Sequence, residues 1–371
     1  MRYIGPILTV PYLERTPSLS LRVAVVGAGP AGIYASDLLL RNDEHDIHVD
    51  LFEQMPAPFG LIRYGVALDI SRILAKTGDE LLVTEIPDNV YESLKNNKAE
   101  TVHMFGRRGP AQAKFTPKEL REMDLSDTIQ VLVDPEDIDY DATSEEVRRA
   151  DKSVDLNCQV LEQYAMREPD DAPHKIHIHF FEEPVEVLTD DSGAVTGIRT
   201  ERQELDGNGG IRGTGKFTDW PVQQVYHAVG YRSEPVEGVP FDLERHVIPN
   251  DGGHVLVTAE EGAAPEDKLY VTGWIKRGPV GLIGNTKSDA KETTDMLVAD
   301  AAAGRLAAPS HTGADDIFDL LRERGVDYAT WEGWYKLDEA ERALGAADPN
   351  FPRERKKIVE WDEMLGHSRA Q

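Results

Sequence analysis

Between residues 27 and 32 the chain reads Gly27-Ala28-Gly29-Pro30-Ala31-Gly32, and no other stretch restricts its fold so tightly. The loop is preceded by Arg22 to Val26, a short β-branched run of the kind that forms a buried parallel strand, and followed by helical spacing from Ile33 to Arg41. Gly27 permits a tight turn out of the strand, Gly29 lets backbone approach a pyrophosphate, and Gly32 lets helix and strand touch. The helix N-terminus then offers free N–H groups to the phosphates. A second strand, Ile47 to Phe52, ends in Glu53, at about the 20-residue spacing where a carboxylate takes the hydroxyls of an adenosine ribose. A lone GxGxxG is a weak signal; strand, glycines, helix, strand and acid in register are a strong one. The acid opposes a 2′-phosphate, so this loop reads as a site for FAD or NAD and not for NADP.

Two further segments extend the pattern. Thr101 to Phe105 reads as a strand ending in Gly106-Arg107-Arg108-Gly109-Pro110. Where the first unit carries an acid, this one carries two guanidiniums, which pair bidentately with a 2′-phosphate and select NADP over NAD. A solvated basic loop is the plainer alternative. Thr116-Pro117-Lys118-Glu119 has the form of a capping box with proline at the first helical position, which gives Glu119 a role that needs no ligand. Near the C-terminus a strand expected over Leu269 to Thr272 runs into Gly273-Trp274-Ile275-Lys276-Arg277-Gly278-Pro279-Val280-Gly281-Leu282-Ile283-Gly284, with a helix from about Thr286. Its glycines let backbone approach a flat ligand, and the helix N-terminus favours negative charge on a reduced flavin. Trp274 has a plainer reading as a core aromatic.

The run Met55-Pro56-Ala57-Pro58-Phe59-Gly60-Leu61-Ile62-Arg63-Tyr64-Gly65-Val66 follows the first acid. Here the chain resembles the adrenodoxin-reductase-like family of ferredoxin–NADP reductases, whose FAD loop precedes a similar Pro-x-Pro-aromatic-Gly-Leu-x-Arg-x-Gly-Val segment. Gly106 to Glu122 is similar to that family's NADP segment, and Gly273 to Gly284 to its second FAD segment. The resemblance covers nearly the whole chain from residue 22, apart from one gap. It implies FAD contacts at Leu61, Trp274, Gly281, Leu282 and Ile283, with Gly281 also on the nicotinamide side. Val280 stands where the family usually has threonine. It implies NADP contacts at Arg107, Arg108 and Glu119, and places Glu122 on an acid near the nicotinamide, the single catalytic candidate. The implied fold is α/β with two Rossmann-like dinucleotide-binding domains of the glutathione-reductase-like type. The FAD domain would be discontinuous, at 1–66 and 230–371, and the NADP domain would be inserted, at 67–229. The implied reaction is hydride transfer between NADPH and FAD and single-electron transfer to a ferredoxin-type iron–sulfur protein.

The departure from the family falls around residues 66–67. No G-x-G-x-x-G or G-x-G-x-x-A lies between Val66 and Arg107. Gly65-Val66 is similar to the end of the FAD-side loop, while Ala67 to Leu74 is similar to the helix that in the family follows the NADP glycine loop. A segment of domain scale, roughly 100 residues, is missing between them. The family's Pro-Asp-His after Gly-Val-Ala is missing too; Asp69 stands nearby without being assigned that role. Incomplete parallel sheets with exposed edges and uncovered apolar helix faces are the expected consequence, together with loss of the main pyrophosphate grip on NADPH. A competing reading follows: a shortened, non-catalytic flavin-binding remnant.

Composition narrows the rest. Cys158 is the sole cysteine among 371 residues, which excludes an internal disulfide, a Cys-x-x-Cys pair (and so a disulfide reductase) and a thiolate-held iron–sulfur cluster. A net charge of −27 argues against nucleic acid and anionic lipid as partners. No apolar run approaches the roughly 20 residues of a membrane span, and the N-terminal segment has no leader pattern, so the expectation is a soluble cytoplasmic protein. Residues 129–160 are acidic, include a second capping box at Thr143-Ser144-Glu145-Glu146 and read as a solvated helix. Lys175 to Phe181, Ala194 to Glu201 and Val222 to Ala228 alternate apolar and polar residues and are expected as antiparallel strands with one wet face. His174, His177 and His179 read as sheet residues and not as metal ligands, and no metal is expected. Arg353-Glu354-Arg355-Lys356-Lys357 is either a solvated patch or a dock for an acidic ferredoxin. Other NADPH oxidases, flavin monooxygenases included, stay open, and the oligomeric state is not legible.

Overall fold

The computed structural model describes residues 3–7, 20–58, 67–113, 115–228, 232–279, 283–313 and 315–369. The chain divides into two compact units, one of Met1–Gly65 with Val229–Gln371 and the other of Val66–Ala228. Both are α/β, and neither contains a closed barrel among the described residues.

In the first unit, strand β1 (Tyr3–Ile7) pairs in parallel with the late strand Asp327–Thr330. Strands β2 (Ser20–Val26) and β3 (Asp46–Phe52) form a parallel pair in unbroken register, from Ser20↔Asp46 to Val26↔Phe52. Helix α1 (Pro30–Leu40) connects them. Leu21, Leu39, Ile47 and Val49 pack with Leu297 and Ala301 of the 20-residue helix Ile283–Ala302 into one apolar core. Among the described residues the β2–β3 sheet has two strands, and the Val26 side chain at the end of β2 is 82% exposed. A small antiparallel sheet (Asn250–Asp251, His254–Leu256, Pro265–Tyr270) leads into the second glycine segment. The C-terminal helices Trp331–Ala346 and Trp361–Arg369 enclose Ala57, Trp334, Leu337, Ile358 and Met364.

The second unit opens with three short helices, Ala67–Ala75, Gly78–Leu81 and Asp88–Leu94. Its parallel sheet consists of β4 (Thr101–Gly106), β5 (Ile129–Val133) and β6 (His174–Phe180), in the order β4-β6-β5. A three-stranded antiparallel meander follows, β7 (Glu182–Thr189), β8 (Val195–Leu205) and β9 (Ile211–Trp220). Ile176, Ile178 and Phe180 face the core with Val131, Val160, Leu161 and Tyr164. Cys158, on the helix Lys152–Ala165, is fully buried.

Several expectations are corrected here. Lys175 to Phe181 is not an antiparallel strand with a wet face: β6 lies centrally and parallel, and its alternation separates two covered faces. Val222 to Ala228 forms no strand; the third meander strand ends at Trp220. Ile129–Val133, inside the stretch read as solvated and acidic, is a strand buried at every position. The capping box expected at Thr143 does not form either. The helix Ala142–Ala150 starts earlier, with the Asp141 side chain accepting the Ser144 N–H at 2.7 Å.

The face of β4 and β6 opposite the core carries stacked aromatic rings. His103 lies 5.4 Å from His177 and 5.1 Å from His179, and Trp220 covers His179 at 4.5 Å between centroids. The His103 Nδ1 and His179 Nε2 atoms share a hydrogen bond of 2.9 Å. Burial, reinforced by the neighbouring imidazoles, pushes His103 down to about 4 and His179 to about 3. His177 is lowered as well, by burial and then by Lys175. In the unfolded chain these rings titrate near 6.5, so their contribution to stability is whole above about pH 6.5 and is lost as pH falls toward the folded values. The urea midpoint of this unit should therefore fall on acidification from about pH 6.5 to about pH 4.5, and more shallowly in His179→Phe. Equal pH slopes for the two proteins would contradict this.

Candidate functional site

The first glycine loop is shaped by contacts within its own strand–helix crossing. Gly27 has φ +105°, a conformation that L side chains rarely adopt, and its N–H donates to the Phe52 carbonyl at 2.7 Å. Gly32 lies against that same turn, where an added Cβ would sit 1.8 Å from the Gly27 carbonyl oxygen. Gly29 differs: a Cβ there meets nothing within 4 Å. The glycines thus divide into two that the fold requires and one that faces open space.

Pro30 opens α1, Gly29 provides no side-chain cap, and no acid lies in the first turn. A helix start without a side-chain cap is short of acceptors for its first N–H groups, which suits an anion. Glu53 stands beside it. Its Oε2 accepts the Ala28 N–H at 2.7 Å, and its Oε1 accepts the N–H groups of Gln54 at 2.7 Å and Met55 at 3.1 Å. The carboxylate is locked at the loop and holds Ala28, which is 1% exposed, in place.

The second glycine segment reaches the same spot. Gly273 has φ +82°, and a Cβ on it would lie 2.7 Å from the Cβ of Ala31, at the start of α1. Trp274 opens the short helix Trp274–Arg277, and Gly278 after it has φ +88°. The turn is fastened from behind by Asp289 on helix Ile283–Ala302, 3% exposed, which accepts the Gly273 N–H at 2.5 Å and the Thr272 hydroxyl at 3.0 Å. Lys276, itself buried, lies 3.1 Å from Asp289 and donates to Glu292 at 2.7 Å. Burial opposes ionisation of Asp289, but the Gly273 N–H, Lys276 and Arg277 outweigh it and hold its carboxyl below the usual range.

These features fit the adenosine diphosphate half of FAD: a cradle free of side chains at Gly29, a helix start without a side-chain cap, and an acid at the end of β3. Ile283 opens the long helix, while Leu61, Gly281 and Leu282 lie outside the described residues. The contact of Ala31 with Gly273 and the anchors Asp289 and Lys276 were not read from the sequence. The first joins positions more than two hundred residues apart, the anchors join a turn to the following helix, and no short motif announces either.

In the second unit Arg107 and Arg108 follow β4, both exposed. Arg107 comes no nearer than 3.8 Å to Glu183, a loose pairing that leaves the guanidinium available. Gly109 is required by packing, since a Cβ would meet Phe181 at 2.5 Å. Glu119 closes the capping box, its carboxylate accepting the Thr116 N–H at 3.0 Å while its own N–H donates to Thr116 Oγ1 at 3.1 Å. Glu122, one turn on, accepts from Arg72 at 3.1 Å and lies 3.6 Å from Lys118. Among the described residues of 67–100 there is no strand, so β4 enters its sheet without a preceding strand and glycine loop. The basic run at 353–357 is turned inward. Arg353 and Lys356 pair with buried Asp348 at 3.0 and 3.2 Å, and Arg355 pairs with Asp338. It is therefore neither a solvated patch nor a free dock.

Comparison with protein-family models finds no match. The mitochondrial NADPH:adrenodoxin oxidoreductase of Arabidopsis thaliana is 27% identical over 481 residues, which take in 98% of this chain and 99% of the relative. That alignment is longer than the chain itself, so a long stretch of the relative has no counterpart here. NADPH-ferredoxin reductase FprA of Mycobacterium tuberculosis is 37% identical over 308 residues, 81% of this chain and 64% of the relative's own length. The solved structure of Mycobacterium tuberculosis FprA in complex with NADPH superposes with a TM-score of 0.82 at 28% identity, covering 96% of this chain and 100% of that one.

Fold and site together define an oxidoreductase built on two dinucleotide-binding units. This chain belongs to the adrenodoxin-reductase-like family of FAD-dependent ferredoxin–NADP reductases.

The two kinds of glycine give a direct test. Gly32→Ala should cost about 1–3 kcal/mol of stability through overpacking, read as a lower urea midpoint. Gly29→Ala should leave the midpoint in place and weaken flavin binding. The reverse pattern would contradict the division of roles.

Proposed function

We propose that this chain is an FAD-dependent ferredoxin–NADP reductase working in the cytoplasm, with FAD held by Met1–Gly65 and Val229–Gln371 and NADPH by Val66–Ala228. The observation that carries this reading is the meeting of the two glycine segments at Ala31 and Gly273, beside a helix start without a side-chain cap and the Glu53 carboxylate. FAD, when bound, supplies the exchange between a hydride from NADPH and single electrons for a ferredoxin-type iron–sulfur protein.

The chain's own residues bind and orient. Gly27 to Gly32 bring backbone N–H groups to the pyrophosphate, and Glu53 takes the ribose hydroxyls in place of part of its present bonding to backbone N–H. Trp274, Leu61, Gly281, Leu282 and Ile283 line the flavin side. Arg107 and Arg108 clamp the 2′-phosphate of NADPH. Glu119 adds a contact if its cap opens. Glu122, held by Arg72, is the acid nearest the nicotinamide. With no glycine loop before β4 among the described residues, the pyrophosphate of NADPH has fewer partners than the 2′-phosphate, so the arginines bear most of the recognition.

The test is NADPH-driven reduction of an iron–sulfur acceptor by the FAD-loaded chain. Arg107→Gln and Arg108→Gln should each raise the KM for NADPH about 10-fold or more, the loss of a charge-assisted bond, and change kcat/KM for NADH little. Equal losses with NADPH and NADH, or no FAD-dependent turnover by the wild-type chain, would overturn the assignment.

A further inference from the structure

The turn Thr272–Arg277 is held in an unusual way. Four donors from this one short segment converge on a single carboxylate: the Thr272 hydroxyl at 3.0 Å, the Gly273 N–H at 2.5 Å, Lys276 Nζ at 3.1 Å and the Arg277 guanidinium. That carboxylate, Asp289, is 3% exposed and sits two turns into helix Ile283–Ala302. The same helix contributes Thr293, whose hydroxyl donates to the Val271 carbonyl at 2.8 Å and accepts from Lys276 at 3.1 Å. Lys276 also donates to the Gly252 carbonyl at 3.1 Å. On its far side the turn has no slack, since Gly273 already touches Ala31 closely enough that a methyl group would collide.

We infer that Asp289 is a positioning residue for the flavin: by fixing the Gly273 N–H and the two cations behind it, it sets the distance between the first and second glycine segments. The physical reason is the geometry of the clamp. A carboxylate offers about four lone-pair sites, and here four donors face them. A buried charge so fully bonded is rigid, and removing it leaves the Gly273 N–H and the Thr272 hydroxyl without this acceptor and takes from Lys276 its buried counter-charge. The turn is then free to lift away from Ala31, and the flavin-side residues that follow, from Trp274 on, lose their fixed height above the cradle. Glu292 is a natural contrast. It also bonds Lys276 and Arg277, but its side chain is half exposed and it does not bond Gly273.

This inference rests on the proposed FAD site, and the experiment separates the two. FAD-free wild-type chain, Asp289→Asn, Asp289→Ala, Glu292→Gln and Thr272→Val are each titrated with FAD, read by quenching of flavin fluorescence, and the bound flavin's visible circular dichroism is recorded. Wild type and Glu292→Gln should bind alike. Asp289→Asn should keep its far-ultraviolet spectrum, bind FAD about 10-fold more weakly and show an altered visible dichroism. That change would report a displaced flavin environment, which a mere loss of stability would not produce. Asp289→Ala should be weaker still. If both Asp289 variants fail to fold, Thr272→Val decides, with an expected loss of about 3-fold and a visible dichroism changed in the same sense. Wild-type affinity and dichroism in Asp289→Asn, or in Thr272→Val where the others do not fold, would overturn the role of Asp289. Failure of the wild-type chain to bind FAD would overturn the site itself.

Discussion

The close crossing of strand and helix at Gly27 and Gly32 is the constraint on which the first unit depends. With the Gly27 carbonyl where it is, no side chain fits at position 32, so β2 must end and α1 must begin at this point and at this angle. Everything nearby inherits that geometry. Glu53 is brought to Ala28 because Phe52 pairs with Gly27, and α1 is brought against helix Ile283–Ala302 because both cover the same face of the β2–β3 pair. The shape of the loop is thus set by backbone and by the Glu53 carboxylate, and its glycines matter for the side chains they lack.

The second unit shows what happens when part of such an architecture is missing. Its parallel sheet closes over the gap, with β4 lying directly beside β6 from Thr101↔Lys175 to Gly106↔Phe180. The apolar core is intact: Leu161 and Ile176 are 0% exposed. The far face is covered by the meander through Trp220 and by the polar chain Trp220–Thr200–Glu182, so the unit has two faces with separate covers. Among the described residues no strand of this unit precedes β4, while the structural core and the exposed arginine pair persist.

The first site was legible because its signals are local. Glycines, strand, helix and Glu53 lie within one short βαβ unit, and each has a backbone reason to be where it is. The second unit was read less well. The alternation of Lys175 to Phe181 looked like a half-wet strand because histidines alternate with isoleucine and phenylalanine, yet His179 is 8% exposed and stacks under Trp220. Histidine counts as polar in a pattern and packs as an aromatic in the molecule. Ile129–Val133 was lost among the acids that flank it, and the cations of 353–357 looked free because the carboxylates that hold them, Asp338, Glu341 and Asp348, lie outside the basic run itself. Partners from beyond the local motif decide such cases, and the Asp289 clamp belongs with them.

The most direct test of the account is the visible spectrum of the FAD-loaded chain, recorded without oxygen before and after NADPH is added. Flavin bands that stay with the protein on gel filtration and bleach with NADPH are the predicted result, showing that the two glycine segments hold FAD and that the arginine pair delivers a reductant despite the shortened second unit. Flavin that elutes free of the chain would contradict the site. Bound flavin that NADPH leaves oxidised would contradict the reductase and leave a flavin-binding remnant of the family.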